Sequence, residues 1–181
     1  MPNHCQNDLW INGNPEDIKR LLSHIGADKE PPIFDFNTII PYPENLREMD
    51  REMDEVYKNP SLLKTYQAKW GTDNDGYSNG GYNWCCSNWG TKWNAYNVAR
   101  RDYLGACITF QTAWTPPIPV IVALAKMFPK CSLSLEYFEM GIAFCGGFSC
   151  VSREDWSEED VWDAGKITGK WEAKYNGVRG G

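Results

Sequence analysis

Residues 104–128 read LGACITFQTAWTPPIPVIVALAKMF, and they contain a transition between two types of secondary structure. The first half shows the period of two that places side chains on one face of a β-strand, here Ile108, Phe110, Thr112 and Trp114. The prolines that follow are confined to the first turn of a helix, where missing N–H groups cost little. The pattern therefore predicts a strand over 104–114 that leads directly into a helix over 115–128.

A second pair of strand and helix precedes this one. Residues 4–12 alternate between apolar and polar side chains, which is typical of a half-buried strand. Asn14 is a suitable N-cap for a following helix, and Gly26 can end it in the left-handed conformation. We predict a helix over 14–26.

The remaining alternating segments complete an α+β pattern. They predict strands at 93–100, 133–137 and 141–151, the last with a bulge at Gly146-Gly147. With 31–92 set aside as an insertion, the order is strand, helix, strand, strand, helix, strand, plus an extra C-terminal strand. This order is the ferredoxin-like, split β-α-β antiparallel sheet, in which both helices cover one face. The other face would then be free for the insertion or a ligand.

The insertion itself is predicted to be helical and rich in aromatic residues. An extended apolar segment at 33–40 precedes a charged helix, whose apolar stripe consists of Leu46, Met49, Met53, Val56 and Tyr57. Asn59-Pro60 is typical of a helix start and predicts a further short helix to about Trp70.

The end of the insertion, residues 76–96, places six large aromatic residues among Gly, Asn and Ser. Trp and Tyr offer broad apolar faces with one polar group each, so such a segment can form a docking surface. Tyr77, Tyr82 and Trp84 lie in its glycine-rich part, and we predict that they are exposed and bind a partner. Lys92 can add a cation–π contact with a neighbouring indole, although a solvated lysine is the simpler interpretation.

The six residues from Asn88 to Trp93 favour a structural role. We expect a tight turn at Gly90 whose indoles, Trp89 and Trp93, plug the open face of the sheet, while Asn and Thr side chains satisfy backbone groups. Trp114 is assigned a structural role with them. Exposure of the two indoles would instead favour docking.

The charge of the chain limits the classes of partner. With 18 basic and 24 acidic residues among 181, the net charge is −6, so general attraction to nucleic acid or anionic membranes is not expected. Single-stranded nucleic acid remains an alternative ligand if Lys92, Arg100 and Arg101 supply a local basic groove beside the aromatic residues.

An acidic segment follows the predicted domain, which we place at 1–151. Residues 152–181 are predicted to form an acidic helix and a tail; six of the carboxylates belong to Glu154, Asp155, Glu158, Glu159, Asp160 and Asp163. The segment lacks the pattern of a calcium loop. A solvated helix is the simpler interpretation, and a negative surface that engages a basic partner is the functional one.

Metal sites and cofactors are not expected. The seven cysteines include no Cys-x-x-Cys pair, and the N-terminus lacks the basic and apolar regions of a signal peptide. An odd number of cysteines without such a signal indicates reduced thiols, so we expect a cytoplasmic protein with no metal, no cofactor and no membrane span. His4 and His24 accompany no nucleophile motif, so we predict no catalytic residue.

Three separated motifs carry a resemblance to a known family. Residues 1–7, 88–93 and 112–117, which read MPNHCQN, NWGTKW and TAWTPP, resemble the YubB-type family of plasmid and phage proteins over about residues 1–150. The resemblance implies a ferredoxin-like domain and a mobile-element setting in a bacterial host, and it implies no reaction. His4 stands where the family commonly has Trp.

These observations favour a non-catalytic protein that binds a host protein or protein–nucleic acid complex, in host takeover or counter-defence. A single-strand nucleic-acid-binding protein and an enzyme of unidentified reaction are the alternatives. A pull-down with and without nuclease treatment distinguishes the first two classes.

Overall fold

The computed structural model describes residues 3–101, 106–141 and 144–150, and the backbone of 162–163. The described residues form one antiparallel sheet with helices. Its strands are β1 (His4–Asn12), β2 (Tyr96–Arg101), β3 (Ala106–Ala113), β4 (Ser132–Glu139), β5 (Phe144–Cys150) and β6 (Trp162–Asp163). The helices are α1 (Pro15–Ile25), α2 (Glu44–Lys58), α3 (Leu63–Trp70), α4 (Tyr82–Asn88) and α5 (Ile118–Met127).

The strand order is β2-β3-β1-β4-β5-β6, and each neighbouring pair is antiparallel. The first four strands, with α1 and α5 as the crossovers, have the ferredoxin-like topology predicted from the sequence. β5 and β6 extend the sheet beyond β4. The protein is therefore an α+β, ferredoxin-like domain with a helical insertion.

Local sequence determines both crossover helices. The Asn14 side chain accepts a hydrogen bond from the Asp17 amide at 2.9 Å, and Gly26 closes α1 with a φ of 81°. α5 begins at Ile118 and not at 115 as predicted, so Pro116 and Pro117 precede the helix and Pro119 alone of the three prolines occupies its first turn.

The two crossover helices cover the same face of the sheet, as predicted. β1, β3 and β4 supply that face with Leu9, Ile11, Ile108, Phe110, Leu133 and Leu135, all of which are buried. The helices pack on it with Leu21, Leu22, Ile25, Val120, Ile121 and Leu124. Full burial of such a side chain contributes about 1.5–3 kcal/mol, so this layer is the main source of stability.

The insertion packs on the helix-covered face, which corrects the prediction that it would use the opposite face. Phe34 meets the Phe110 ring edge-on at 4.9 Å, and Phe110 shares a face with Ile108 in the helix-side core. Phe36 in turn contacts the Trp89 ring at 5.7 Å. The two ends of the insertion thus extend the main core.

Several local predictions are also corrected. Within 33–40, residues Phe36–Thr38 form a 3-10 turn, because the Asp35 side chain caps the Asn37 amide. Tyr57 was placed in the apolar stripe of α2, but its side chain is 71% exposed. Met49, Met53 and Val56 are buried as predicted, and a 3-10 turn at Pro60–Leu62 leads into α3.

No bulge interrupts the pairing between the described strands β4 and β5. The register is continuous from Leu133 opposite Cys150 to Glu139 opposite Phe144. Gly146 instead makes room for Tyr137, since a Cβ at Gly146 would lie 2.6 Å from the Tyr137 Cζ atom. The bulge lies in β2 instead, where the register with β3 shifts between Tyr96 and Ala99.

The prediction of a C-terminal helix is wrong at residues 162–163, the part of that segment whose backbone the structure describes. Trp162–Asp163 pairs with β5 as a short strand, because this edge of the sheet offers backbone partners that sequence periodicity does not show. The other acidic residues of that segment, from Glu154 to Asp160, lie outside the described residues, as does the tail from 164 onward.

Candidate functional site

The three motifs of the sequence meet at one end of the sheet. The Trp114 amide donates to the Asn3 carbonyl at 2.9 Å, and this contact joins the first and third motifs. The Thr91 hydroxyl donates to the Ala113 carbonyl at 2.9 Å and joins the second motif to the third. The chain segments around residues 3, 91 and 114 therefore form one unit.

Further contacts fix the loop between β3 and α5. The Thr115 hydroxyl donates to the Gly90 carbonyl at 2.5 Å, and the Thr112 hydroxyl donates to the Thr115 carbonyl at 2.8 Å. Gly90 has a φ of 75°, and a Cβ there would lie 2.8 Å from Pro119 Cδ. Both the conformation and the close approach require glycine at this position.

Trp114 combines backbone strain with exposure. Its φ is 73°, in the left-handed region that costs an L-residue about 1–2 kcal/mol, yet its side chain remains 45% exposed. Strained residues of this kind persist where the surrounding contacts over-determine them, and they cluster at functional sites. The hydrogen-bonded loop between β3 and α5 supplies these contacts, and it holds the exposed Trp114 indole in one orientation.

Lys92 lies at the centre of the exposed aromatic residues. Its Nζ atom is 3.1 Å from the centroid of the Trp114 ring, 5.7 Å from that of Tyr82 and 5.9 Å from that of Trp93. Tyr82 and Trp93 are each 37% exposed. We call these four residues the Lys92 surface; a cation within about 6 Å of each ring holds the rings together at the surface.

The predicted docking residues divide into two groups. Tyr82 is exposed as predicted and belongs to the Lys92 surface. Trp84 does not: its ring packs against Tyr42 at 5.5 Å and Trp89 at 5.4 Å, so it contributes to the core. Tyr77 is half-buried and meets the Tyr82 ring edge-on at 6.0 Å. The helical geometry of α4 turns Tyr82 and Trp84 in different directions, which the sequence interpretation did not resolve.

The predicted structural residues divide as well. Trp89 is buried, and Asn88 donates to the Trp84 carbonyl at 2.9 Å, so both have the expected structural role. Trp93 was expected to pack on the open face of the sheet and Trp114 to have a structural role, but the side chains of both residues are exposed. For Lys92 a solvated side chain was the simpler expectation and a cation–π contact the alternative; the structure has the contact, with Trp114 as the nearest ring and the adjacent Trp93 farther away.

Arg100 and Arg101 lie at the other end of the sheet. Arg101 pairs with Cys107, and Trp114 follows seven residues later on the same chain segment. At about 3.3 Å per residue this separation is roughly 20 Å along the strand. The structure therefore does not bring the two arginines together with Lys92.

A cavity of about 210 Å³ adjoins the Lys92 surface at Trp93. Its polar lining consists of Asn37, Tyr42, Arg47, Asp50 and Tyr77, and Trp89 supplies an aromatic wall. Burial raises the pKa of Asp50, and the neighbouring Asp75 carboxylate raises it further. Burial likewise raises the pKa of Tyr77 to about 12. The sequence interpretation did not find this cavity.

The two histidines have structural partners. His4 Nδ1 and the Tyr96 hydroxyl are 2.6 Å apart, and His24 Nε2 is 2.9 Å from the Thr38 carbonyl oxygen. Across the described parts of the chain, no group of three or more His, Cys, Asp or Glu residues is arranged to hold a metal ion.

All seven cysteines lie among the described residues, and none forms a disulfide. Burial raises the pKa of Cys5 and Cys85 to about 12 and that of Cys150 to about 11. Cys86, in contrast, is exposed on α4. A cysteine reacts with a disulfide reagent through its thiolate. The pKa and the solvent exposure of each thiol therefore determine which cysteines react quickly and which react slowly.

This separation gives a first prediction. With a disulfide reagent at pH 8, Cys86 should react at least about 100-fold faster than Cys5, Cys85 or Cys150, because a thiol pKa of 11–12 leaves on the order of 0.1% thiolate or less. Mass spectrometry of partly labelled protein measures the order, and denaturant provides the fully reactive control. Uniform rates in the native protein would contradict the assigned burial.

A comparison with family models indicates the same type of fold for the second half of the chain. Residues 88–176 match the family model of the ferredoxin-like domain in Api92-like protein. The chain is also similar to the crystal structure of a protein api92 from Yersinia pseudotuberculosis, with 13% identity and a TM-score of 0.48 over 93% of this chain and 99% of that one. No curated protein matches the chain.

The Api92-like match begins at Asn88 and therefore includes two of the three motifs. It also includes Lys92, Trp93 and Trp114 of the Lys92 surface. Tyr82, from α4, is the one member that precedes it. In the described part of the chain, no helix combines the length and apolar character that a membrane crossing requires.

Proposed function

We propose that this protein is a phage or plasmid accessory protein that binds a host protein, or a protein–nucleic acid complex, through the Lys92 surface and without catalysis. The setting is supported by the sequence resemblance to a plasmid and phage family. The docking role is supported chiefly by Trp114, an exposed indole held at positive φ by contacts from Asn3 and from the loop after β3.

The composition of the surface suits protein recognition. Trp and Tyr are the residue types most enriched among binding hot spots, and their rigid rings lose little entropy on binding. Tyr82, Trp93 and Trp114 present three such rings around one cation. A partner that covers them would exclude water from rings that already have fixed orientations.

Nucleic acid is the weaker alternative. Bases could stack on the same rings, but phosphate binding needs several cations, and Arg100 and Arg101 lie at the far end of the sheet. The net charge of −6 also opposes it. An enzyme remains a third class, with no reaction that the described residues indicate.

Replacement of Trp114 by Gly tests the proposal. Glycine removes the ring and relieves the strained φ, so the losses of packing and cation–π energy are offset by about 1–2 kcal/mol of relieved strain. We expect thermal melting close to that of the unaltered protein and at least a tenfold loss of partner binding, which corresponds to about 1.4 kcal/mol. Tyr82→Ala and Trp93→Ala should each weaken binding by more than about 1 kcal/mol.

Tyr57→Ala is the matched control, because Tyr57 is an exposed aromatic residue on α2 outside the Lys92 surface. A pull-down from host lysate should recover the same partner with this control as with the unaltered protein, with or without nuclease. A partner that Trp114→Gly still retains in full would show that the surface is not the docking site. Recovery of nucleic acid without any host protein, and its loss after nuclease treatment, would favour the nucleic-acid alternative.

A further inference from the structure

The cavity beside Trp93 has the composition of a small ligand site. Its volume of about 210 Å³ lies below the roughly 300–1,000 Å³ of pockets for drug-sized ligands, so a side chain or a small molecule fits it better. Tyr42 and Tyr77 line it together with the indoles of Trp89 and Trp93. Aromatic walls of this kind favour either an apolar group or a cation.

One buried polar atom in the cavity lacks a well-formed hydrogen bond. Among the described residues, no group has normal hydrogen-bond geometry to the buried Tyr42 hydroxyl, and the Asp50 carboxylate acts on it only as a weak acceptor, which raises the pKa of Tyr42. The hydroxyl lies close against the turn at Gly81, because a Cβ added to that glycine would overlap the hydroxyl oxygen. An unsatisfied buried hydroxyl costs about 1–3 kcal/mol, and a ligand that bonds it recovers that cost.

Asp50 supplies a carboxylate next to this hydroxyl. Its Oδ1 atom accepts a hydrogen bond from the Tyr77 amide at 2.8 Å, which fixes the side chain. After burial, the Asp50 carboxylate is the largest cause of the raised pKa of Tyr42, and both residues line the cavity. Asp75 adds further negative charge near both groups.

Arg47 also lines the cavity, but its donors are already engaged. One Nη atom donates to Asn37 Oδ1 at 2.8 Å and to the Tyr42 carbonyl at 3.3 Å, and the other lies 3.4 Å from Glu44 Oε2. Glu44 is shared, because it also pairs with Arg51 at 2.7 Å. Negative charge near the cavity still exceeds the one guanidinium of Arg47, since the Asp75 carboxylate lies close enough to Asp50 to raise its pKa.

We propose that this cavity binds a primary alkylammonium group, as carried by the side chain of a lysine residue. The ammonium donates hydrogen bonds to the Asp50 carboxylate and the Tyr42 hydroxyl oxygen, and the alkyl stem lies against Trp89 and Trp93. An ammonium has three donors and no acceptor, which matches these two oxygen acceptors. The site is distinct from the Lys92 surface, with which it shares Trp93, and amine binding requires no macromolecule.

The test uses n-butylamine and the blocked residue Nα-acetyl-lysine-N-methylamide as probes, followed by calorimetry and tryptophan fluorescence. Both probes should bind saturably with a Kd on the order of millimolar, since a few non-hydrogen atoms support only weak affinity. Asp50→Asn should weaken binding at least tenfold, and Tyr42→Phe should weaken it several-fold. Asp54→Asn, the same change at an exposed position on α2, should leave the Kd unchanged.

Asn at position 50 keeps an oxygen for the Tyr77 amide, so the fold should survive, and a thermal melt checks this. Tyr42→Phe provides the second variant if Asp50→Asn melts early. Equal affinity for the Asp50→Asn and unaltered proteins would overturn the proposal, as would absence of binding by either probe. Tighter binding of butyrate than of butylamine would assign the cavity to Arg47 and anions. Binding of butylamine without the lysine derivative would overturn the lysine side chain as the ligand.

Trp114→Gly should leave butylamine binding intact, because Trp114 does not line the cavity. The experiments can therefore contradict the amine-site proposal and the partner-docking proposal separately.

Discussion

Trp89→Ala is expected to lower the free energy of unfolding by about 3–5 kcal/mol, the usual cost of truncating a buried Trp to Ala. The indole is only 4% exposed and contacts the rings of Phe36 and Trp84. Its Nε1 also donates to the Ile40 carbonyl at 2.8 Å. The substitution thus leaves a cavity and removes the partner of that carbonyl, in the region where the insertion joins the main core.

Trp93→Ala is the control for this result. The two tryptophans lie four residues apart in one motif, but Trp93 is exposed, so its truncation should cost less than about 1 kcal/mol. Denaturant unfolding of both variants gives the comparison. Equal destabilisation by the two substitutions would contradict the structure, and it is the result that the sequence interpretation of both as packing residues predicts.

Gly76→Ala is expected to destabilise the protein by about 3 kcal/mol, at the upper end of the usual cost of overpacking. Gly76 has φ −62° and ψ −36°, which suits alanine, so helix propensity alone predicts stabilisation of up to about 1 kcal/mol. Space opposes it. A Cβ at this position would overlap the Leu46 carbonyl oxygen and lie 2.7 Å from the carbonyl carbon, so the turn after Gly76 would have to separate from α2.

Gly80→Ala distinguishes this clash from a general loss of glycine. Gly80 has a φ of 118°, but no atom lies within 4 Å of the position that a Cβ would occupy, so strain alone should cost about 1–2 kcal/mol. Denaturation midpoints should follow the order unaltered protein, Gly80→Ala, Gly76→Ala. A Gly76→Ala protein that is as stable as the unaltered one would disprove the close contact between the turn and α2.

The topology could be predicted because its signals are local. Asn14, Gly26 and the prolines before α5 mark the ends of the two crossover helices, and each acts through a neighbour in sequence. The alternation in 4–12 likewise gives the side chains that face the core. Given two strand–helix pairs with a hairpin, few arrangements other than the ferredoxin-like one satisfy the rules of connection.

The candidate site could not be predicted at the same level, because its geometry depends on contacts between distant residues. Trp89 and Trp93 have the same side chain, and they differ in burial because different parts of the fold pack around them. Trp114 continues the period of two in the sequence, yet it has a positive φ, and its amide bonds to the carbonyl of the distant Asn3. The cavity likewise joins Asp50 to the Tyr77 amide, 27 residues apart.

The insertion joins the main core through Trp89 and Phe36, but its outer helices have a separate small cluster. There Met53, Val56 and Tyr66 pack together, away from the residues that cover the sheet. Polar contacts add to this cluster, as the Trp70 indole donates to Glu52 at 2.7 Å. Amide protons of α3 should therefore exchange with solvent through local opening of α3 away from α2, at a free energy well below that of global unfolding, while those of β1 exchange only when the whole domain unfolds.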